Sequence, residues 1–207
     1  MKLLLQTLEH LQNTEVKTVI HQRIQEFKHI NTRSTDDLFK ELSFCILTAN
    51  FNAQRAIQIH AQLNTCFSST TQETLAKKLK RCGYRFPATR AAFIVRATQQ
   101  KQKILEALHT LSGEQLREWL VQNIDGLGYK EASHFLRNIG YDDYAIIDSH
   151  ILDLLKRHHL LQPPRTLTRK KYLEIETLLR TIATQAHLTL AELDLYLWFL
   201  ETGMVLK

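Results

Sequence analysis

Cysteine, proline and glycine are all scarce in this chain of 207 residues: three, three and six respectively. The cysteines, Cys45, Cys66 and Cys82, are odd in number and isolated, with no Cys-x-x-Cys pairing. That pattern argues against a disulfide framework, a zinc site and an iron–sulfur cluster. The adjacent His158 and His159 do not suggest a metal either. Neighbours on a helix point in different directions, and no third ligand lies near in sequence. No metal and no cofactor is expected. Long apolar runs are also missing. Nothing approaches the roughly 20 residues of a membrane span, and the apolar opening Leu3-Leu4-Leu5 is broken too soon for a signal peptide. An intracellular protein with no membrane partner is expected.

Strand patterning is the next absence. Only Tyr144–Ile147 looks β-like, and it is too short to build a sheet. There is no internal repeat and no low-complexity linker. Helical spacing, in contrast, recurs along the chain. Apolar residues repeat from Leu3 to Phe27. Ser34-Thr35-Asp36-Asp37 reads as a helix start, followed by Leu38, Leu42, Cys45 and Ile46. Further helices are predicted over about Ala53–Leu63 and Thr71–Lys80, the latter ending near Gly83. Pro87 suits the first position of a segment running from Ala88 to about Leu108. Ser112 with Gln115 forms a capping-box pattern for a helix through Val121. Three more are predicted over Ser149–His158, Thr168–Ala186 and Leu190–Thr202, each beginning near a Thr, Ser or Asp suited to N-capping. The fold class is all-α, and the length suits one domain or two small subdomains packed together.

Charge is uneven. The net charge is +6, a balance that suits a polyanionic partner. Between Lys77 and Lys103 stand Lys77, Lys78, Lys80, Arg81, Arg85, Arg90, Arg96, Lys101 and Lys103, with no Asp or Glu among them. Arg165, Arg169, Lys170 and Lys171 form a second cluster. Such runs are usually solvated helix faces. A one-signed run over two helices repels itself without a polyanion, so phosphate contact is expected for the first cluster, with Arg85 and Arg90 as candidate ligands.

The most informative segment is Ile124-Asp125-Gly126-Leu127-Gly128-Tyr129-Lys130-Glu131-Ala132-Ser133-His134-Phe135-Leu136. Two glycines flank one apolar residue between two predicted helices. They permit a tight turn and let backbone approach a phosphate, to which the next helix offers N–H groups and its positive dipole end. Leu127 anchors the turn, and Ala132 allows close helix packing. A dinucleotide-binding reading fails, because it needs a preceding strand and a third glycine.

This segment resembles the helix-hairpin-helix of the DNA glycosylase superfamily that includes endonuclease III. In its bifunctional members a lysine follows the second glycine by two positions, which here is Lys130. The family's aspartate motif matches Ile147-Asp148-Ser149-His150-Ile151, eighteen residues further on. Within the superfamily the chain is similar to the archaeal-type (type 2) 8-oxoguanine DNA glycosylase/lyases. The likeness covers Gly126 to Leu152, Leu47–Phe51, Arg85-Phe86, and Trp198 with Glu201–Lys207, so roughly Leu38 to the last residue. It implies one helix-hairpin-helix glycosylase domain over residues 1–207, with the motif at about 112–139, built as two packed helical subdomains with the motif at their cleft. It also implies a monomer acting on double-stranded DNA that contains 8-oxoguanine or abasic sites.

The implied chemistry needs an amine. Lys130 would attack the sugar carbon and form a Schiff base with the opened sugar, which acidifies the neighbouring carbon and permits β-elimination of the 3′ phosphate. Attack requires the neutral amine, and a helix start and a dry pocket both disfavour an ammonium. Asp148 would orient or deprotonate that amine or stabilise a sugar cation. By itself it also reads as the N-cap of the helix beginning at Ser149. The target base must leave the stack. Trp198 is the candidate stacking surface, or else a core aromatic among Leu195, Leu197 and Phe199. Phe86 is a candidate wedge for the vacated space, and Asn50 resembles the polar residue that other superfamily members insert there. Either could instead be ordinary loop packing. Gly126 and Gly128 would meet the DNA backbone. Lys207 resembles the family's terminal lysine that lines the base pocket. There an acceptor carboxylate would favour the extra N7 donor of 8-oxoguanine over the N7 acceptor of guanine. Two alternatives stand at this level: a glycosylase/lyase for another damaged base, and a non-catalytic hairpin module that binds duplex phosphates.

Overall fold

The computed structural model describes residues 1–30, 34–64, 66–67 and 70–207. Among these residues there are twelve α-helices and no strand: α1 (Lys2–Gln12), α2 (Glu15–Ile30), α3 (Thr35–Thr48), α4 (Ala53–Leu63), α5 (Gln72–Arg81), α6 (Pro87–Gln99), α7 (Lys101–Thr110), α8 (Gly113–Asn123), α9 (Tyr129–Asn138), α10 (Ser149–Arg157), α11 (Arg169–Gln185) and α12 (Leu190–Thr202). The all-α expectation holds. Most starts carry the anticipated chemistry. Ser34, Asn52, Thr71, Asp148, Thr168 and Thr189 each accept a backbone N–H from the first turn of their helix, and Thr189 with Glu192 completes a capping box. Such a side chain satisfies a donor the helix leaves orphaned.

Three expectations are corrected. The helical spacing from Leu3 to Phe27 is two helices, because Asn13 and Thr14 turn the chain back onto the His10 and Leu11 carbonyls. The segment after Pro87 breaks at Gln100, whose N–H returns to Ala97. Ser112 stands at the N-cap of α8, but its side chain makes no capping bond.

The chain divides into two compact units, Thr32–Phe135 and Met1–Asn31 with Leu136–Lys207, and the division falls within α9. In the first unit α3 is buried almost throughout, from Leu38 to Thr48, and packs against α4 and α6, while α5 lies along α6 and α7 against α8. In the second, α12 meets α2, α10 and α11. Its apolar side chains face several directions: Leu190, Leu193, Leu195, Tyr196 and Leu197 are all buried. The β-like stretch Tyr144–Ile147 is buried but belongs to no helix or strand. Side chains of α11 take its backbone groups instead. Glu176 Oε2 accepts from Ala145 N (3.0 Å), Tyr172 Oη donates to Ala145 O (2.8 Å), and Ile147 N donates to Tyr172 Oη (3.2 Å). Buried backbone must find partners somewhere, and here they are helical side chains. This stretch ends at Asp148.

Candidate active site and nucleic-acid face

The hairpin forms where the glycines predict it. Gly126 sits at φ +85°, and a Cβ there would come within 2.5 Å of the Phe93 ring on α6. Backbone angle and space both therefore demand glycine. Leu127 is buried, and its N–H closes the turn on Ile124 O at 3.2 Å. Ala132 is fully buried. One detail differs from expectation. The Gly128 N–H is not left open for a phosphate: it donates to Glu131 Oε2 at 3.1 Å, a reach-back three residues long.

Lys130 lies in the first turn of α9, with its side chain 25 % exposed and its Nζ 3.9 Å from Glu131 Oε1. Its neighbour Tyr129 is tied to α8. The phenol hydrogen-bonds Glu114 Oε1 at 3.0 Å and also meets Glu118. Arg117, only 1 % exposed, pairs with Glu114, donates to Ser133 Oγ at 3.2 Å and lies over the Tyr129 ring at 5.2 Å. This network fixes the backbone that carries Lys130. Sequence reasoning missed Tyr129, Arg117 and Glu131. Glu131 had a signal, the capping spacing from Gly128; the other two are neighbours only through the fold.

Asp148 is the N-cap of α10. Its Oδ1 accepts from Ile151 N at 3.0 Å, while no described residue engages Oδ2. The cap reading of Asp148 thus holds, and the cap uses one of the two carboxylate oxygens. In the same unit His150 meets Trp198 edge to face, ring centres 5.2 Å apart. Trp198 is half-buried, and its indole N–H has no partner among the described residues. After Trp198 the helix ends on Gly203, left-handed at φ +71°, and Lys207 lies half-exposed beyond it.

The other candidates gather on one set of elements. Asn50 is exposed and left-handed, φ +56°, between α3 and α4. Phe86 is 39 % exposed at the start of α6, with the Arg85 guanidinium 4.8 Å from its ring centre. Between them run contacts no local pattern announces. Tyr84 Oη donates to Leu47 O at 2.7 Å, and the Tyr84 ring packs on Phe51 with centres 4.4 Å apart. Burial pushes the Tyr84 phenol above its ordinary range, while a hydrogen bond from Arg90 and its charge oppose that shift. Arg90 differs from its expected role. It is 8 % exposed, and its Nη2 donates to Ala49 O at 2.9 Å. A buried guanidinium so committed is a strut for the Asn50 turn rather than a phosphate ligand.

The one-signed run is also partly neutralised in three dimensions. Lys77 pairs with Glu73, Arg96 with Asp125 and Lys101 with Asp36. Lys80, Arg81, Arg85 and Lys103 remain exposed, with no ion pair among the described residues. Among those residues no group of three His, Cys, Asp or Glu side chains could hold a metal ion, and no helix is long and apolar enough to cross a membrane.

Residues 20–188 match the helix-hairpin-helix family described as 8-oxoguanine DNA glycosylase. The chain is 50 % identical over 207 residues to the 8-oxoguanine DNA glycosylase/AP lyase of Methanocaldococcus jannaschii, covering 99 % of this chain and 100 % of that one. It is 44 % identical over 212 residues to the protein of the same name from Thermotoga maritima, covering 100 % of both. The crystal structure of the M. jannaschii glycosylase/lyase in complex with a 15mer DNA containing 8-oxoguanine superposes with a TM-score of 0.95 at 48 % identity, over 99 % of this chain and 100 % of that one. On the family match and on identity across the whole length, the chain belongs to the 8-oxoguanine DNA glycosylase family.

Proposed function

We propose that this protein excises 8-oxoguanine from duplex DNA and cleaves the resulting abasic site, with Lys130 as the nucleophile and Asp148 as its partner. The observation that carries the assignment is the place of Lys130: the first turn of α9, two residues past the Gly126-Leu127-Gly128 turn, on backbone held by Tyr129 and Glu131. The neutral Lys130 amine attacks the sugar carbon, the C–N bond to the base breaks, and the departing base takes up a proton. The opened sugar and the amine form an imine. Loss of a proton from the neighbouring carbon then expels the 3′ phosphate, and water returns the amine. Asp148 serves through Oδ2, accepting a proton or standing against positive charge on the sugar, while Oδ1 caps α10. Trp198 offers a stacking face to the extruded base, and Lys207 contributes to base recognition. Asn50 and Phe86 fill the vacated space, and Arg85 with the hairpin backbone meets phosphates. The protein works on DNA as a monomer.

Borohydride tests the nucleophile. It should trap a covalent complex with 8-oxoguanine or abasic DNA, and Lys130→Gln should trap none. Robust trapping by that variant would overturn the assignment, and absence of trapping by the native protein would leave a phosphate-binding module. Asp148→Asn keeps a capping oxygen and removes the charge. It should slow turnover by about a hundredfold, the scale of a lost acid–base group, with DNA binding retained. Near-normal turnover would reduce Asp148 to a cap. Deleting Lys207 should lower 8-oxoguanine excision more than abasic-site cleavage, since the lyase step needs no contact with the base.

A further inference from the structure

The C-terminal end of α3 is closed in an unusual way. The last carbonyls of a helix lack partners within it. Here Thr48 O accepts locally, from Phe51 N at 3.2 Å. The Leu47 and Ala49 carbonyls are taken by side chains from 37 and 41 residues away, Tyr84 and Arg90. Both are buried, and the positive charge of Arg90 opposes the upward push that burial gives the Tyr84 phenol. No carboxylate pairs with Arg90 among the described residues, and its Nε has no partner. The guanidinium also lies over the Phe93 ring, 5.5 Å from its centre. Burying a cation without a counter-charge is costly, and an apolar side chain would fill the same space without that cost. What the guanidinium adds is a fixed grip on the Ala49 carbonyl, one residue before Asn50.

We propose that Tyr84 and Arg90 are positioning residues for base extrusion: together they lock the Asn50 turn in its left-handed conformation and tie it to the segment that carries Arg85 and Phe86. Phe51, on the far side of Asn50, packs on the Tyr84 ring and closes the bracket. Asn50 is therefore held on both sides by one buried tyrosine–arginine pair, while its own side chain stays exposed. A turn preset in this way enters the space left by an extruded nucleotide without first being ordered. This role rests on the proposed function, and it goes further by assigning Tyr84 and Arg90 to the extrusion step and away from the Lys130 chemistry.

The test uses the full chain and two duplexes, one with 8-oxoguanine and one with an abasic site. A fluorescent 2-aminopurine beside the lesion reports unstacking. Tyr84→Phe keeps the ring and loses the bond to Leu47. Arg90→Met keeps the bulk and loses the grip on Ala49. Each should slow single-turnover excision of 8-oxoguanine by about tenfold or more, the scale of a small misplacement at a site, and leave abasic-site cleavage within about twofold. The 2-aminopurine rise should shrink in parallel. Asn50→Ala, which removes the side chain the turn presents, should show the same loss of excision and of fluorescence, and Arg90→Lys, which keeps a cationic donor, should recover part of the loss. A purely structural pair would lower both reactions together with the melting temperature, and that result overturns the proposal, as does unchanged excision. Should Arg90→Met fold poorly, Tyr84→Phe and Asn50→Ala still separate a positioning role from a structural one. A native protein without excision would refute the proposed function, while the fluorescence comparison would still decide the role of the pair.

Discussion

Two left-handed turns of the Thr32–Phe135 unit, at Gly126 and at Asn50, are built in opposite ways. The hairpin turn is written locally: glycine at 126 supplies φ +85°, Leu127 anchors it, and Glu131 closes it three residues later. The Asn50 turn has no glycine. Its geometry is imposed by Tyr84 and Arg90, 37 and 41 residues from the carbonyls they bind. The first turn takes its shape from composition and so is visible in the sequence. The second depends on tertiary contacts and is visible only once the chain is folded. The two also meet on one helix. Arg90 grips the Asn50 turn, Phe93 lies against Gly126, and Arg96 pairs with Asp125 at 2.8 Å. Residues three apart share a helix face, so one face of α6 supports both turns.

The largest effect should come from breaking the local turn. Gly126→Ala places a methyl group where the Phe93 ring stands and forces a side chain to φ +85°. Overpacking and backbone strain together should cost about 3 kcal/mol of stability, read as a lower midpoint in urea unfolding. Adding Phe93→Leu should recover part of that cost and leave a residue of roughly 1 kcal/mol from the backbone angle. If the double variant is no better than Gly126→Ala, the ring does not fix that glycine.

The reverse substitution at the other turn sharpens the contrast. Asn50→Gly removes the side chain but suits φ +56° better than asparagine does. Relief of strain offsets the extra freedom of the unfolded chain, so stability should stay within about 0.5 kcal/mol of the native value. Excision of 8-oxoguanine should nevertheless fall. A loss of stability comparable to that of Gly126→Ala would mean that the Asn50 side chain itself builds the turn.

The same division between local and distant causes explains how far the sequence can be read. Helix starts are legible because a capping side chain acts within its own first turn, as at Thr71, Asp148, Thr168 and Thr189. Lys130 is legible because the hairpin places it by local geometry. Helix breaks without glycine or proline, at Asn13–Thr14 and Gln100, escape because apolar spacing runs straight through them. The role of Arg90 escapes for a deeper reason. In sequence it is one cation among nine, and nothing beside it announces that it will be buried on the Ala49 carbonyl. The basic run misleads in the same manner, since two of its counter-charges, Asp36 and Asp125, lie outside it by many residues.

The smallest effect concerns what remains of that run. Arg85 and Arg96 carry the same charge and both are exposed, but Arg96 already faces Asp125, while Arg85 lies over the Phe86 ring with no ion pair among the described residues. A cation that displaces counterions from DNA contributes close to 0.9 to the log–log slope of binding against salt, roughly one unit for each phosphate met. Arg85→Gln should therefore flatten the slope by about that amount, with a modest loss of affinity at low salt. Arg96→Gln removes the same charge, yet its partner carboxylate is left unpaired at the hairpin. Affinity should drop there through repulsion, with a smaller change in slope if Arg96 meets no phosphate. The two substitutions have equal formal charge, so net charge cannot account for a difference between them. Equal slopes for both variants would show that the pairing in the free protein does not decide which cations reach DNA. A native slope for Arg85→Gln would return the segment around Phe86 to the ordinary role of a solvated helix start.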